Sequence, residues 1–169
     1  MGKSVLEGKT ILAVDDEPDL LELLKEEIQD ACPSCNFESA TTFEQATEML
    51  ESNPYDLVIL DIMGVRGFEI LDQAVKKRLP VVMLTAHALT PEALNLSIEK
   101  GARAYLSKEK LMEIVPYLED ALTYEHLTGW KRLLKKMDHF FSSRWGEHWK
   151  GNEKEFWKEL EEKSRRIRW

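Results

Sequence analysis

The chain has 169 residues, 43% of them apolar and 32% charged, with a formal net charge of -8. That composition excludes a disordered or fibrous chain, and the length suits one domain of about 100 to 150 residues with an appendage rather than two full domains. The longest apolar runs fall far short of the roughly 20 residues of a membrane span, and the first eight residues hold no apolar stretch resembling a secretory signal, so the expected location is the cytoplasm.

In chain order, Thr10 to Val14 is the first short run of β-branched and apolar residues, the pattern of a strand buried on both faces of a parallel sheet. After Pro18, residues Leu20, Leu21, Leu24 and Ile28 mark one face of a helix. The Cys32-Pro33-Ser34-Cys35 run that follows reads as a turn with Pro33 as helix stop. A redox pair would sit at a helix N-terminus rather than past a helix end, and a structural zinc site would need about four ligands. Asn36 to Ala40 is a weaker strand, and Thr42-x-x-Gln45 looks like a capping box that opens the second helix. Leu57 to Leu60 and Val81 to Leu84 are two further buried strands. Thr90-Pro91-Glu92 starts another helix, with threonine as cap and proline in the first turn. Ala102 to Leu106 is the fifth strand, and Leu111, Ile114, Val115, Leu118 and Leu122 pattern a last helix that Pro116 either kinks or delays. Strand and helix thus alternate about five times, which predicts an α/β fold: a doubly wound, five-stranded parallel sheet covered by helices on both sides.

Charge divides the chain near residue 125. Residues 1–125 hold 11 Lys+Arg and 24 Asp+Glu, whereas residues 126–169 hold 12 and 7 together with all five tryptophans and three of four histidines. The expectation is a domain over 1–125 and a Trp-rich basic helical extension over 126–169, marked at the join only by Thr128-Gly129 and continuing directly from the last helix. Trp130, Leu133, Leu134, Met137, Phe140, Phe141 and Trp145 follow helical spacing with lysines and arginines mostly between them, predicting one basic amphipathic helix. Trp149, Phe156, Trp157 and Leu160 suggest a second, short one before the basic Arg165-Arg166-Ile167-Arg168 end. Such a tail has four destinations: its own domain, a second protomer, a partner's groove or an anionic membrane, the last being the weaker expectation. It is too short for a module that reads a DNA major groove, so direct DNA binding is not expected.

In open α/β sheets ligands bind outside the carboxyl ends of the strands. Here the first strand ends in Asp15-Asp16-Glu17, the third in Asp61, the fourth in Thr85 and the fifth in Lys108. Carboxylates gathered at one edge repel one another unless a cation neutralises them, and Mg²⁺ prefers oxygen ligands while leaving positions for phosphoryl oxygens. An aspartate beside it can act as a nucleophile toward phosphorus, with Lys108 as a fixed cation and Thr85 as a hydrogen-bond donor.

Over roughly residues 8–124 the sequence resembles the receiver domain family of bacterial two-component response regulators. The matching segments are Val14-Asp15-Asp16-Glu17-Pro18, Leu57-Val58-Ile59-Leu60-Asp61-Ile62-Met63, Leu84-Thr85-Ala86 and Tyr105-Leu106-Ser107-Lys108. The resemblance implies the flavodoxin-like strand order 2-1-3-4-5. It also implies Asp61 as phosphoacceptor, Asp16 and the Met63 carbonyl as direct Mg²⁺ ligands, Asp15 as a ligand through water, Thr85 and Lys108 as phosphoryl contacts, and Tyr105 as the switch aromatic. His87, two residues after Thr85, borders the family's water route and is a candidate for tuning the acyl phosphate's lifetime. Two features depart from the family pattern: the loop after Asp61 is about two residues short, and Lys108 is followed by Glu109 instead of proline.

The function so implied is phosphorylation on Asp61 by a sensor histidine kinase, with signalling to a downstream protein or a homodimer. This is a phosphoacceptor rather than an enzyme, capable at most of self-phosphorylation and autodephosphorylation. The rivals are a phosphorylation-independent interaction module that binds through the aromatic tail, and a phosphatase, the latter disfavoured because methionine occupies position 63 where an Asp-x-Asp spacing would need a carboxylate.

Overall fold

A computed structural model describes residues 3–167. Arg168 and Trp169, both counted in the basic, Trp-rich tail, lie outside the described residues. The elements are β1 (Thr10–Val14), α1 (Pro18–Ala31), β2 (Asn36–Ala40), α2 (Phe43–Ser52), β3 (Leu57–Leu60), α3 (Gly67–Lys76), β4 (Val81–Thr85), α4 (Pro91–Glu99), β5 (Ala104–Ser107), a 3-10 helix (Lys108–Glu113), α5 (Ile114–Thr123), α6 (His126–Lys136), α7 (Asp138–Trp145) and α8 (Glu153–Arg165).

The five strands form one parallel sheet in the order β2-β1-β3-β4-β5, as the alternation of strand and helix and the family resemblance lead one to expect. β3 and β4 are buried along their whole length and β1 nearly so, because helices cover both faces, and this is why those strands read as unbroken apolar runs. Thr42 caps α2 by accepting from the Gln45 N–H at 3.1 Å, while the Gln45 side chain reaches back to the Thr41 N–H, one residue earlier than in a reciprocal capping box. Thr90 caps α4 through the Ala93 N–H at 3.1 Å. The Cys32-to-Cys35 segment is a turn closed by Cys35 N–H to Cys32 C=O at 3.0 Å; both cysteines are buried free thiols, and burial pushes the Cys35 thiol up to about 11.

Several boundaries differ from the sequence reading. β5 begins at Ala104 rather than Ala102, with Arg103 N–H bonded to Val81 C=O just before it. Leu111 belongs to the 3-10 helix, and α5 starts only at Ile114, which puts Pro116 in the first turn, where a missing N–H costs nothing. The tail does not continue α5. Tyr124 and Glu125 are extended, and Thr128-Gly129 lie inside α6 instead of marking a join. The predicted single helix is two, α6 and α7, divided at Met137, and the helix predicted near Trp149 starts at Glu153 and runs 13 residues.

Compositionally different as it is, the tail shares one core with the sheet domain. Trp130, Leu133, Leu134, Met137, Phe141 and Leu160 are buried in the same cluster as the strands. The α6 helix packs on α5 and β5, and α8 packs on α4 and α6. Buried polar bonds help to fix this docking. The Trp130 indole N–H donates to the Ala102 carbonyl at 2.8 Å. His126 Nε2 lies 3.1 Å from the Ile98 carbonyl, so it must donate, and Nδ1 then accepts from the Ser164 hydroxyl at 2.6 Å. Among the described residues, no helix is long and apolar enough to cross a membrane.

Trp130→Ala removes a fully buried indole and leaves the Ala102 carbonyl unpaired. It is expected to cost about 3 to 5 kcal/mol in a urea titration, the range for large-to-small changes at aromatic core positions. His126 gives a pH signature. Burial, with Arg103 adding to it, depresses its pKa from 6.5 to about 4. Between those values the unfolded chain takes up a proton that the folded chain refuses, so stability falls as pH falls through that window, by about 3 kcal/mol at most. Urea midpoints taken from about pH 7 down to about 4.5 should fall more steeply in the wild type than in His126→Gln.

Candidate functional site

The parallel sheet sets the carboxyl ends of β1, β3, β4 and β5 side by side, and each places a polar residue there. Asp15 follows β1, with its N–H on the Ala40 carbonyl at 3.1 Å, and Asp61 follows β3, with its N–H on the Val14 carbonyl at 3.0 Å. These backbone bonds hold two buried aspartates next to one another; Asp15 is 2% exposed and Asp61 3%. Lys108 reaches both from the end of β5. Its ammonium lies 2.9 Å from Asp15 Oδ2, 3.1 Å from Asp61 Oδ2 and 3.4 Å from Glu17 Oε2.

One cation is thus shared among three carboxylates. Burial raises the pKa of Asp15 and of Asp61 above the ordinary carboxylate value, even though Lys108 acts in the opposite direction on both. For Lys108 the balance is reversed. Burial works against its charge, but the Asp15 hydrogen bond and the Asp61 charge outweigh it, and the ammonium titrates above its ordinary value. Asp61 is also incompletely satisfied: Oδ2 is tied to Lys108, while Oδ1 is buried without a hydrogen-bond partner among the described residues. Such an atom is costly to leave unmade and marks a place for a cation or an electrophile. Asp15, Asp16 and Asp61 each offer one oxygen within 4.8 Å of the others, a donor set of hard oxygen ligands that fits Mg²⁺.

The short loop after Asp61 is shaped by two glycines. Gly64 has φ +85 and lies so close to Asp16 that a Cβ there would overlap its carboxylate, so the backbone at residue 64 runs beside Asp16. At Gly67 a Cβ would collide with the Asp61 carbonyl, and its N–H bonds the Ile62 carbonyl at 3.0 Å. Here α3 starts six positions after Asp61, with Arg66 before it in the left-handed region. The Met63 side chain points to solvent at 52% exposure.

Thr85 and Tyr105 converge on one residue that the sequence does not single out. Thr85, fully buried at the end of β4, accepts the Ala88 N–H on Oγ1 at 3.2 Å. The Tyr105 hydroxyl donates to the Ala88 carbonyl at 2.6 Å and accepts the Thr90 N–H at 3.0 Å, with the ring fully buried. Burial lifts the phenol well above its usual range, so it stays a donor. His87 is exposed in this same loop, two residues after Thr85. Asp15, Asp16, Asp61, Met63, Thr85 and Lys108 therefore sit at or just past the carboxyl edge of the sheet and His87 in the β4–α4 loop, while Tyr105 lies inside β5 and reaches that loop through its hydroxyl. Missed were Glu17 as a partner of Lys108, Ala88 as the shared anchor, and a contact of the tail with Glu109 described below. Backbone anchors such as Ala88 leave no signal in side-chain chemistry.

Comparison with known proteins agrees with this geometry. The family model described as the response regulator receiver domain matches residues 11–118. Response regulator GtcR of Aneurinibacillus migulanus is 35% identical over 104 residues, covering 60% of this chain and 42% of GtcR. The signal transduction histidine-protein kinase BarA of Shigella flexneri is 32% identical over 105 residues, 59% of this chain and 11% of BarA. The match therefore spans less than half the length of either relative. Among solved structures, a CheY-like response regulator receiver domain protein from Methanospirillum hungatei aligns with a TM-score of 0.58 at 27% identity, covering 68% of this chain and 96% of that one. With a family model matched over well over half its length, a sheet in the expected order and an acidic cluster at the sheet edge, the chain belongs to the response regulator receiver domain family.

Proposed function

We propose that this chain is a phosphoacceptor switch in which Asp61 takes a phosphoryl group from a sensor histidine kinase. The observation that carries the reading is the state of the Asp61 carboxylate: one oxygen is held by Lys108, and the other is buried, unpartnered and next to two further aspartates. In the transfer an Asp61 oxygen forms a bond to phosphorus while the bond from phosphorus to the donor's imidazole nitrogen breaks and its electron pair returns to that nitrogen. Asp16, Asp61 and the Met63 carbonyl would hold Mg²⁺, with Asp15 acting through water, and the ion when bound supplies charge neutralisation for the phosphoryl oxygens. The approach of Gly64 to Asp16 supports the Met63 assignment, since it brings the backbone of the short loop to the cluster.

Lys108 is already inside the site and needs only to exchange a carboxylate partner for a phosphoryl oxygen. Thr85 would turn its hydroxyl toward the same group and so give up the Ala88 N–H, which biases the loop that Tyr105 holds. Signalling then passes to the face of α4, β5 and α5 and to the tail over 126–169, treated as an extension of a receiver over 1–125, and from there to a downstream protein or a second copy of the chain. His87 lies in the same loop and is placed to tune the lifetime of the acyl phosphate. A cytoplasmic location suits a partner of a kinase's cytoplasmic domain.

Incubation with acetyl phosphate and Mg²⁺ should add the mass of one phosphoryl group per chain. The gain should vanish in Asp61→Asn and on chelation of the metal. A gain that survives Asp61→Asn would defeat the assignment.

A further inference from the structure

The tail reaches the site's surroundings through α7, which makes polar contacts on both sides of it. The Trp145 indole N–H donates to the Leu89 carbonyl at 3.2 Å, in the β4–α4 loop that Thr85 and Tyr105 hold at Ala88 and Thr90. One residue earlier, the Arg144 guanidinium pairs with Glu109, the residue directly after Lys108. Between these anchors Phe141 and Trp145 stack with ring centroids 4.6 Å apart and planes 3° from parallel, and both rings lie within 6.5 Å of the Tyr105 ring. A single eight-residue helix therefore bridges the loop that follows Thr85 and the 3-10 helix that starts at Lys108.

We infer that α7 is a positioning element of the Asp61 site, held against the β4–α4 loop and the 3-10 helix in the unphosphorylated chain and loosened when Asp61 is phosphorylated. The sign follows from the hydrogen bonds. Three consecutive residues, Ala88 to Thr90, are fixed by one bond to Thr85, two to Tyr105 and one to Trp145. If Thr85 leaves the Ala88 N–H for a phosphoryl oxygen, that N–H must find a new partner, and the loop cannot move without disturbing the adjacent Leu89 carbonyl that Trp145 holds. Docking of α7 and recruitment of Thr85 thus compete, and linkage makes the competition reciprocal. Glu109, which departs from the family's proline, has a role in this arrangement as the anchor for Arg144. The Arg144–Glu109 pair is half exposed and contributes little to stability, so its effect is on position.

The inference rests on the function proposed above and is tested on the full chain with acetyl phosphate and Mg²⁺. Trp145→Phe keeps the ring and removes the N–H donor, and Arg144→Ala removes an exposed charge. Each should gain the phosphoryl group faster than wild type, by about two- to tenfold for one lost hydrogen bond, with Arg144→Ala lowering the urea midpoint only slightly. In the reciprocal experiment, phosphorylation of the wild type should speed amide hydrogen exchange in residues 138–145 while leaving β1 as it was. A purely structural α7 would change stability without changing the phosphorylation rate. Phosphorylation at unchanged rates in both variants, with exchange at 138–145 unchanged or slower, overturns the inference alone. No phosphoryl gain in the wild type overturns the proposed function and this inference with it.

Discussion

The site turns on the Lys108 ammonium and the buried carboxylates it holds. Parallel pairing of β1 with β3 forces Asp15 and Asp61 together below the protein surface, where two like charges without a counter-ion would drive one of them to stay protonated. Lys108, delivered from β5, relieves part of that repulsion and is itself held charged by it. The relief is incomplete, since Asp61 Oδ1 has no hydrogen-bond partner among the described residues and burial raises the pKa of both carboxyls. A structure selected only for stability would have little reason to keep such a cluster, because replacing buried ionic groups with well-packed apolar ones is often neutral or better. Such a cluster fits a bound cation.

The second organising feature is the tail. Its aromatic residues close the edge of the sheet beside β5, and His126, Trp130 and Trp145 spend their polar atoms on carbonyls of the α4 end, of the turn between α4 and β5 and of the β4–α4 loop. A receiver face formed by α4, β5 and α5 is thereby covered by the chain's own helices. An interaction module acting through an exposed aromatic tail finds less support here, because Trp130 and Phe141 are fully buried and serve the internal core.

Much of this was legible in the sequence because the physics is local. Buried parallel strands write unbroken apolar runs, and polar residues at their carboxyl ends stand out, so Asp15, Asp16, Asp61, Thr85 and Lys108 could be named by position. Caps at Thr42 and Thr90 were equally readable. Less legible was whatever depends on tertiary contact. The break at Met137 between α6 and α7 falls inside a continuous helical pattern, since the same apolar spacing suits one long helix or two short ones packed on a common core. The start of α5 was ambiguous because Pro116 is acceptable in a first turn and forbidden further in. The Arg144–Glu109 pair joins positions far apart in the chain, and Ala88 acts through its backbone alone.

The central claim is that the carboxylate cluster at the sheet edge is built to take a divalent cation at Asp61. Calorimetric titration of the unphosphorylated chain with Mg²⁺ tests it most directly. The account predicts one ion per chain, with binding weakened strongly in Asp16→Asn and in Asp61→Asn. No heat of binding at millimolar Mg²⁺, or binding that is indifferent to both substitutions, would contradict it.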